Sequence, residues 1–194
     1  IDPTSGITVL KLTSATVPAS GNHSHPYATG GPFISQAWTS GGNTYYTVVA
    51  DDGWLADVRY DTKALSNWRT VPYGGEVGIA FSMNPATPRI CFLADWDTNR
   101  IRRYDTSTNS YSESSPFPWT IPGGRASPQW LQTQVDDTWI ACMSYDDNAL
   151  MALNTVTGAS RVLTQAESGV GHDELHLDLV DPYVYVSQNG TEDN

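Results

Sequence analysis

The stretch CFLADWDTNRIRRYDTSTNSY, residues 91–111, decides the fold of this chain. An apolar run from Ile90 to Leu93 leads into a polar tip, Asp95 to Asn99, and a second extended segment, Arg100 to Tyr104, follows. A turn rich in Asp, Thr, Ser and Asn then precedes a third extended segment at Tyr111. Short apolar segments separated by such turn-forming residues are typical of antiparallel strands joined by hairpins.

The same unit recurs when Tyr60, Tyr104 and Leu153 are placed in register. The aligned segments are VVADDGWLADVRYD (48–61), FLADWDTNRIRRYD (92–105) and ACMSYDDNALMALN (141–154), and their anchors stand 44 and 49 residues apart. A polar turn and another strand follow each anchor, and a further strand precedes each hairpin at 34–39, 78–83 and 128–133. Four short strands in about 45 residues is the period of a β-propeller blade.

The repeats predict an all-β fold, namely a β-propeller of four-stranded antiparallel blades in a single domain spanning residues 1–194. Three blades are complete, and the fourth joins two complementary halves; the blades are 34–71, 78–114, 128–164, and 174–190 with 1–12. First and last strands that share one blade would close the ring and protect its edges.

Three ways of closing the ring fit the sequence. The chain closes on itself as four blades, two chains exchange their ends, or the chain is part of a larger ring. The last residues, TEDN (191–194), make a poor strand. We therefore expect self-association, or a missing chain segment, to complete the ring.

Composition supports this fold and argues against several partners. Charged residues make up only 16% of the chain, which contains 7 Trp and 10 Tyr, as expected of a turn-rich β-protein. The net charge is −11 with ten Lys and Arg residues, so nucleic-acid binding, which needs clustered cations, is not expected. No apolar run approaches the roughly 20 residues of a membrane span, so no membrane partner is expected either.

Two tripeptides favour a secreted, extracellular glycoprotein. The sequences NHS and NGT, which start at Asn22 and Asn189, are acceptor motifs for N-glycosylation. The two cysteines, Cys91 and Cys142, fall in equivalent strands of neighbouring repeats. A disulfide between them and a pair of buried free thiols both fit this placement.

The segment GIAFSMNPATPRICFLADWDTNRIRRYD (78–105) resembles the repeat of NHL and SMP-30/gluconolactonase-like propellers. Residues 128–164, which contain SYDDN and LNTVTG, resemble the more general YVTN/lactonase-type repeat. The resemblance covers the blade skeleton over most of the chain. It implies a propeller whose ligand site lies on the face that carries the hairpin tips between second and third strands. It says less about function, since propellers host many chemistries.

Blade geometry places the inter-blade links on that same face, and all four histidines lie in or just after these links. His23 and His25 alternate on an extended segment, so they point the same way and could share a metal ion or act as base and orienting group. Glu174 and His176 alternate with leucines on a predicted innermost strand, so one such face would meet the central channel.

The sequence thus predicts three sets of site residues on one face. The candidate catalytic residues are His25, His172, Tyr73 and Arg125. The candidate ligands of a divalent metal ion, which could be Ca, Mn or Zn, are His23, His25, Glu76, His172, Glu174 and His176. The candidate substrate-binding aromatic residues are Tyr27, Trp54, Trp96, Trp119 and Tyr145. The structural alternatives are a surface loop or channel rim for the histidines, and an ion pair with a nearby acid for Arg125.

Three functions that involve a saccharide or small-molecule ligand fit these residues. The first is a lyase: Arg125 or a metal ion neutralises the carboxylate of a uronic acid while His and Tyr exchange protons in a β-elimination. The second is metal-dependent lactone hydrolysis, which the gluconolactonase-like resemblance implies. The third is a lectin-like carbohydrate-binding propeller, in which Trp54, Trp96 and Tyr145 stack on sugars. Because the rim residues differ between blades, a single central site and hence an enzyme is favoured over a lectin, with the lyase as the expected activity.

Overall fold

A computed structural model of the protein describes residues 34–51, 53–71, 78–169, 171–172, 174–178, 180–181 and 183–187. These residues form an all-β fold built from antiparallel sheets, with short helical turns between them. The predicted strand 1–12 and the predicted glycosylation residues, Asn22 and Asn189, lie outside the described residues. Within the described ranges, no helix has the length and apolar character that crossing a membrane requires.

The first sheet pairs four strands in chain order: β1 (Trp38–Ser40), β2 (Asn43–Asp51), β3 (Trp54–Arg59) and β4 (Leu65–Thr70). The predicted strand at 34–39 is shorter than expected, because Ile34 makes only an isolated bridge to Val48 before β1 begins. The centre of β3 is buried along four successive residues. Burial on both faces explains why its apolar residues do not alternate strictly with polar ones.

The second sheet contains the stretch quoted at the start. Its strands are β5 (Ile79–Phe81), β6 (Ile90–Asp95), β7 (Arg100–Asp105), β8 (Ser110–Tyr111) and β9 (Trp119–Thr120). Strands β8 and β9 both pair with β7, at opposite ends. Asn99 at the hairpin tip and Asn109 in the next turn have φ values of 52° and 55°, a region that Asn enters more readily than most residues.

The third sheet repeats the pattern with β10 (Pro128–Thr133), β11 (Trp139–Ser144), β12 (Leu150–Asn154) and β13 (Ser160–Leu163). A one-turn helix, α1 (Gln165–Ser168), follows it. Thr164 and Glu167 cap α1 reciprocally, which is the TxxE capping box visible in the sequence. The described chain ends with a two-stranded sheet of β14 (Glu174–Leu177) and β15 (Val184–Ser187).

Clusters of buried side chains stack these sheets face to face in chain order. Neighbouring residues of a strand point to opposite faces, so Leu93 packs towards the first sheet and Phe92 towards the third. In the same way, Ile140 packs towards the second sheet and Met143 towards the two-stranded sheet. The described sheets do not close into a ring. Their order and stacking are consistent with a propeller-like fold.

The predicted unit of four short antiparallel strands is confirmed in the first and third sheets. The second sheet follows the unit, except that two short strands, β8 and β9, occupy the place of one fourth strand. Strand β9 lies between the predicted blades 78–114 and 128–164, where the sequence predicts an inter-blade link (116–127). That prediction is therefore wrong for Trp119 and Thr120, which pair with Ile101 and Arg100.

Both cysteines are free thiols buried in different parts of the core. Cys91 belongs to the cluster between the first and second sheets, and Cys142 belongs to the cluster between the second and third. The disulfide alternative is thus wrong, and the alternative of two buried thiols is confirmed. Burial raises the pKa of both thiols well above the ordinary range, which keeps them in the unreactive protonated form.

Candidate functional site

Two hairpin tips and the link between them form a continuous surface, which we call the tip rim. It comprises residues 95–99, 121–128 and 145–148. Asn99 joins its first two parts: the Asn99 carbonyl accepts a hydrogen bond from Ile121 N–H at 3.1 Å, and Asn99 Oδ1 accepts one from Ser127 N–H at 3.0 Å. These contacts make the tip rim a hydrogen-bonded framework rather than a set of independent loops.

Trp96 and Tyr145, which lie on neighbouring hairpin tips, form an aromatic pair on the tip rim. Their ring centroids are 6.3 Å apart, with 40° between the planes. The Trp96 indole N–H donates to the Pro128 carbonyl at 2.8 Å, and the Trp96 side chain packs against the core. Tyr145 is 67% exposed, and its backbone N–H donates to the Ser127 carbonyl at 3.2 Å. The pair therefore combines one fixed ring with one ring open to solvent.

Arg125 is held in an ion pair on the same rim. Its Nε donates to Asp147 Oδ2 at 2.9 Å, and its Nη1 donates to the Pro122 carbonyl at 3.2 Å. A Cβ atom at Gly123, where φ is 74°, would lie 2.4 Å from Arg125 Nη1, so glycine leaves room for this arrangement. The predicted catalytic role of Arg125 is not supported, because the alternative, an ion pair with a nearby acid, is what the structure shows.

The electrostatics around Asp147 fit this structural role. Partial burial works against ionisation, but hydrogen bonds from Ser144 and from the Ala149 N–H, together with the Arg125 guanidinium, hold the pKa of Asp147 below its ordinary value. Asp147 thus stays ionised and keeps Arg125 paired. Such a carboxylate competes with any substrate carboxylate for the same guanidinium.

His172 is buried, with 1% of its surface exposed. Its Nδ1 lies 2.9 Å from the Asn148 carbonyl, which can only accept, so Nδ1 carries the proton. Its Nε2 lies 2.8 Å from the Ser168 hydroxyl oxygen, so these two groups are hydrogen-bonded. Both ring nitrogens are engaged by protein groups, which supports a structural role, and the catalytic and metal-binding roles of His172 stay predictions. The residue instead ties the tip of the third sheet to α1.

The predicted aromatic site residues have three different environments. Trp119 lies in β9, only 7% exposed within the core between the second and third sheets, so its predicted role in substrate binding is wrong. Trp54 is half-buried at the start of β3; it makes no ring contact with Trp96 or Tyr145. Only Trp96 and Tyr145 among the described candidates come together.

The remaining predicted site residues lie on β14 or outside the described residues. His176 is exposed on β14, directly opposite Tyr185 of β15. The backbone of Glu174 starts β14, while its side chain is outside the described set. The remaining predictions, His23, His25, Tyr27, Tyr73 and Glu76, also lie outside it. Among the described residues, no three His, Cys, Asp or Glu side chains are grouped so as to hold a metal ion.

The residues that organise the tip rim were not predicted from the sequence. Asn99 and Asp147 do this through contacts with the link. A signal exists for Asn99, since Asn at a hairpin tip indicates a positive φ. No local signal identifies Asp147 as the partner of Arg125, because the two residues are far apart along the chain.

The similarity of this chain to known proteins is found among solved structures. No family model matches it, and no curated protein matches it. Among solved structures, it is similar to "Kuenenia stuttgartiensis Hydrazine Synthase", with a TM-score of 0.44 and 13% sequence identity. The similarity covers 74% of this chain and 38% of that chain.

Proposed function

We propose that this chain is a lectin-like, carbohydrate-binding protein on a β-propeller scaffold, and that it binds saccharide at the tip rim. The observation that carries the proposal is the Trp96–Tyr145 pair, in which one ring is fixed and the other is largely exposed. The apolar C–H face of a pyranose ring packs on such aromatic surfaces. Its hydroxyls need hydrogen-bond acceptors, and the exposed side chains of Asp97 and Asp146 supply these on the same rim.

The scaffold part of the proposal is supported by two observations. The sequence repeats a four-strand unit, and the sheets built from this unit stack in chain order. The resemblance to NHL, SMP-30/gluconolactonase and YVTN-type repeats agrees with both. Closure of the ring, by the chain itself or with another chain, belongs to the proposal.

Binding is preferred to catalysis because of what the described candidates do. Arg125 is paired with Asp147, and both nitrogens of His172 are occupied. A β-elimination needs a free cation at the substrate carboxylate and a free base near C5. The lyase, lactonase and metal predictions now depend chiefly on His176 and on residues outside the described set, and they stay predictions, as does secretion.

A glycan array followed by calorimetry on the best glycan tests the proposal. Tyr145→Ala removes the exposed ring, and we expect it to weaken binding about two- to twelvefold, the effect of losing about 0.5–1.5 kcal/mol of aromatic contact. Tyr145→Phe keeps the ring and should bind nearly as well as the wild type. Tyr183→Ala is the matched control, because Tyr183 is 60% exposed but lies next to β15.

Three results would overturn the proposal. The first is that the wild type binds no glycan, and the second is that Tyr145→Ala binds the best glycan as well as the wild type does. The third is the build-up of unsaturated product from a uronic-acid polymer, which would establish a lyase in place of a binding protein.

A further inference from the structure

A second polar site lies between the second and third sheets, at the end opposite the tip rim. It is a pocket of about 240 Å³ whose lining includes Arg103, Ser114, Ser115, Phe117, Asp137 and Thr155. Drug-sized ligand pockets measure about 300–1,000 Å³, so this one suits a smaller molecule, of about the size of a monosaccharide. None of its lining residues is among the site residues predicted from the sequence.

Arg103 is the cation of this pocket, and part of its guanidinium is free. Nη1 donates to the Ser112 carbonyl at 3.2 Å and to Ser112 Oγ at 2.6 Å. Among the described residues, Nε and Nη2 of Arg103 have no hydrogen-bond partner and the guanidinium makes no ion pair. Its neighbour Arg102 differs, because Glu113 binds it at 2.6 and 3.1 Å.

The free edge of Arg103 matches a carboxylate. The Nε–Nη2 edge of a guanidinium donates two parallel hydrogen bonds, which fit the two oxygens of one carboxylate. The contact of Nη1 with Ser112 fixes the side chain beforehand, which lowers the entropy lost on binding. In a chain with 21 acidic and ten basic residues, an arginine with no ion pair to a described carboxylate is available to an external anion.

The rest of the lining suits the body of a sugar. Ser114 and Ser115 are exposed and bring two hydroxyls that can donate or accept. The Phe117 ring, which packs 5.3 Å from Phe92 between centroids, forms an apolar wall. The lining is mainly polar, which suits a small ligand that carries several hydroxyls.

Asp137 is the acid among the residues named for this pocket, and its carboxylate is engaged elsewhere. Its Oδ2 accepts from the Ser82 hydroxyl at 2.5 Å and from the Thr87 hydroxyl at 3.3 Å, and its Oδ1 accepts from Met83 N–H at 3.2 Å. Burial raises the pKa of Asp137 above its ordinary value. Both features weaken its repulsion of an incoming anion.

We propose that this pocket binds a carboxylate of monosaccharide size, with a uronate as the best-fitting class. Arg103 holds the carboxylate through Nε and Nη2, and the hydroxyls of Ser114 and Ser115 bind the sugar hydroxyls. The proposal does not rest on saccharide binding at the tip rim, since the two sites share no residue.

Ligand-observed NMR and calorimetry with four small molecules test it: glucuronate, galacturonate, glucose and succinate. We expect both uronates to bind and glucose to bind more weakly than either. Arg103→Gln should lower the uronate affinity about tenfold or more, as expected when a charged hydrogen-bonded pair is lost. Arg103→Lys keeps the positive charge but cannot donate two parallel hydrogen bonds. Its uronate affinity should lie between those of the wild type and Arg103→Gln.

The controls separate this site from the fold and from the tip rim. Arg161→Gln removes an exposed arginine of β13 that does not line this pocket, and it should leave uronate binding unchanged. Tyr145→Ala should also leave it unchanged, so the two proposals can fail separately. Thermal unfolding of each variant shows that the fold is kept.

Three results would overturn the proposal. The first is that neither uronate binds the wild type, and the second is that Arg103→Gln binds as tightly as the wild type does. The third is that succinate binds and the uronates do not, which would assign the pocket to small acids without a sugar ring.

Discussion

Asp57 and Arg69 form a buried ion pair in the first sheet, with 3% and 7% of their surfaces exposed. Asp57 Oδ1 accepts from Arg69 Nη2 and from the Thr47 hydroxyl, both at 2.8 Å, and Oδ2 accepts from Asn67 Nδ2 at 2.8 Å. Removing two charges from water is costly, so such a pair persists only when further hydrogen bonds satisfy it. The contacts to Thr47 and Asn67 satisfy the Asp57 carboxylate.

Removing one partner of this pair should be strongly destabilising. We expect Asp57→Ala to lower the free energy of unfolding by about 3–5 kcal/mol, because it leaves the Arg69 charge buried and unpaired. Denaturant unfolding measures the loss. Asp61→Ala, which breaks the exposed pair of Arg59 and Asp61, is the control and should change stability little. Equal effects of the two substitutions would contradict a buried network around Asp57.

Adjacent aspartates predict opposite pH dependences of stability. Burial raises the pKa of Asp137, so its folded form binds a proton more tightly than the unfolded form. Its stabilising contribution is complete below the ordinary value of 3.8 and is lost as the pH rises through the raised pKa. Hydrogen bonds from the Thr138 side chain and backbone lower the pKa of Asp136. Its contribution is present above the ordinary value and is lost as the pH falls through the lowered pKa.

The two Asn variants separate these effects. The unfolding free energy of Asp137→Asn, measured relative to wild type, should rise as the pH increases from below 4 towards neutrality. That of Asp136→Asn should fall over the lower part of the same range. Denaturant unfolding at several pH values measures both. Slopes of the same sign would show that burial does not control Asp137.

Individual site residues were only partly predictable. Trp96 and Tyr145 are aromatic residues at aligned hairpin tips, so the repeat alone places them on one surface. Trp119 and Arg125 belong to the predicted inter-blade link, which the repeat places on the same face. Their positions depend on contacts with β7 and with Asp147, and such long-range pairing leaves no trace in local sequence.

At the scale of elements, α1 is linked to the tip of the third sheet through His172. The Asn148 carbonyl and the Ser168 hydroxyl both hydrogen-bond this buried ring. Asn148 also has a positive φ of 48°, which the bond helps to hold in place. His172 therefore acts as a strut between two elements.

We expect His172→Ala to lower the free energy of unfolding by about 1–3 kcal/mol, because it leaves the Asn148 carbonyl buried without its partner. The measurement is thermal or denaturant unfolding, with and without added Ca²⁺, Mn²⁺ or Zn²⁺. A ligand that binds only the folded state stabilises it. Metal that stabilises the wild type but not His172→Ala would show that His172 is a metal ligand after all, and no such difference is expected. Ser168→Ala, which leaves the bond to Asn148 intact, should cost less.

The central hairpins were the most predictable elements. In β6 and β11, apolar runs are followed by turn residues at a constant spacing, and the observed strands Ile90–Asp95 and Trp139–Ser144 follow the predicted ones closely. Strand β9 and helix α1 were not predicted because each is very short. Strand β9 depends on the packing of Trp119 in the core and leaves no local signal. Helix α1 does leave one, since the Thr164–Glu167 capping box is visible in the sequence.

At the scale of the whole molecule, the sheets differ in how completely they are covered. The second sheet is packed on both faces, by one cluster shared with the first sheet and another shared with the third. The two-stranded sheet is packed on one face through Leu175 and Leu177, while His176 and Tyr185 are exposed on the other. The repeat predicted this stacking order, but the covering of the last sheet depends on chain closure, which the repeat left open.

This difference predicts a gradient of amide hydrogen exchange along the chain. Amides of β6 and β11 are hydrogen-bonded between two strands and buried on both faces, so they should open only on global unfolding. Among the described strands, β15 pairs only with β14, and an isolated two-stranded sheet is marginally stable in water. We expect protection factors at least about tenfold lower in β14 and β15 than in β6 and β11.

Hydrogen exchange followed by mass spectrometry at peptide resolution measures these protection factors, and β2 (Asn43–Asp51) serves as an internal reference within a four-stranded sheet. Equal protection in all of these strands would mean that the outer edge of β15 and the His176 face are covered in solution, and the gradient would then be wrong.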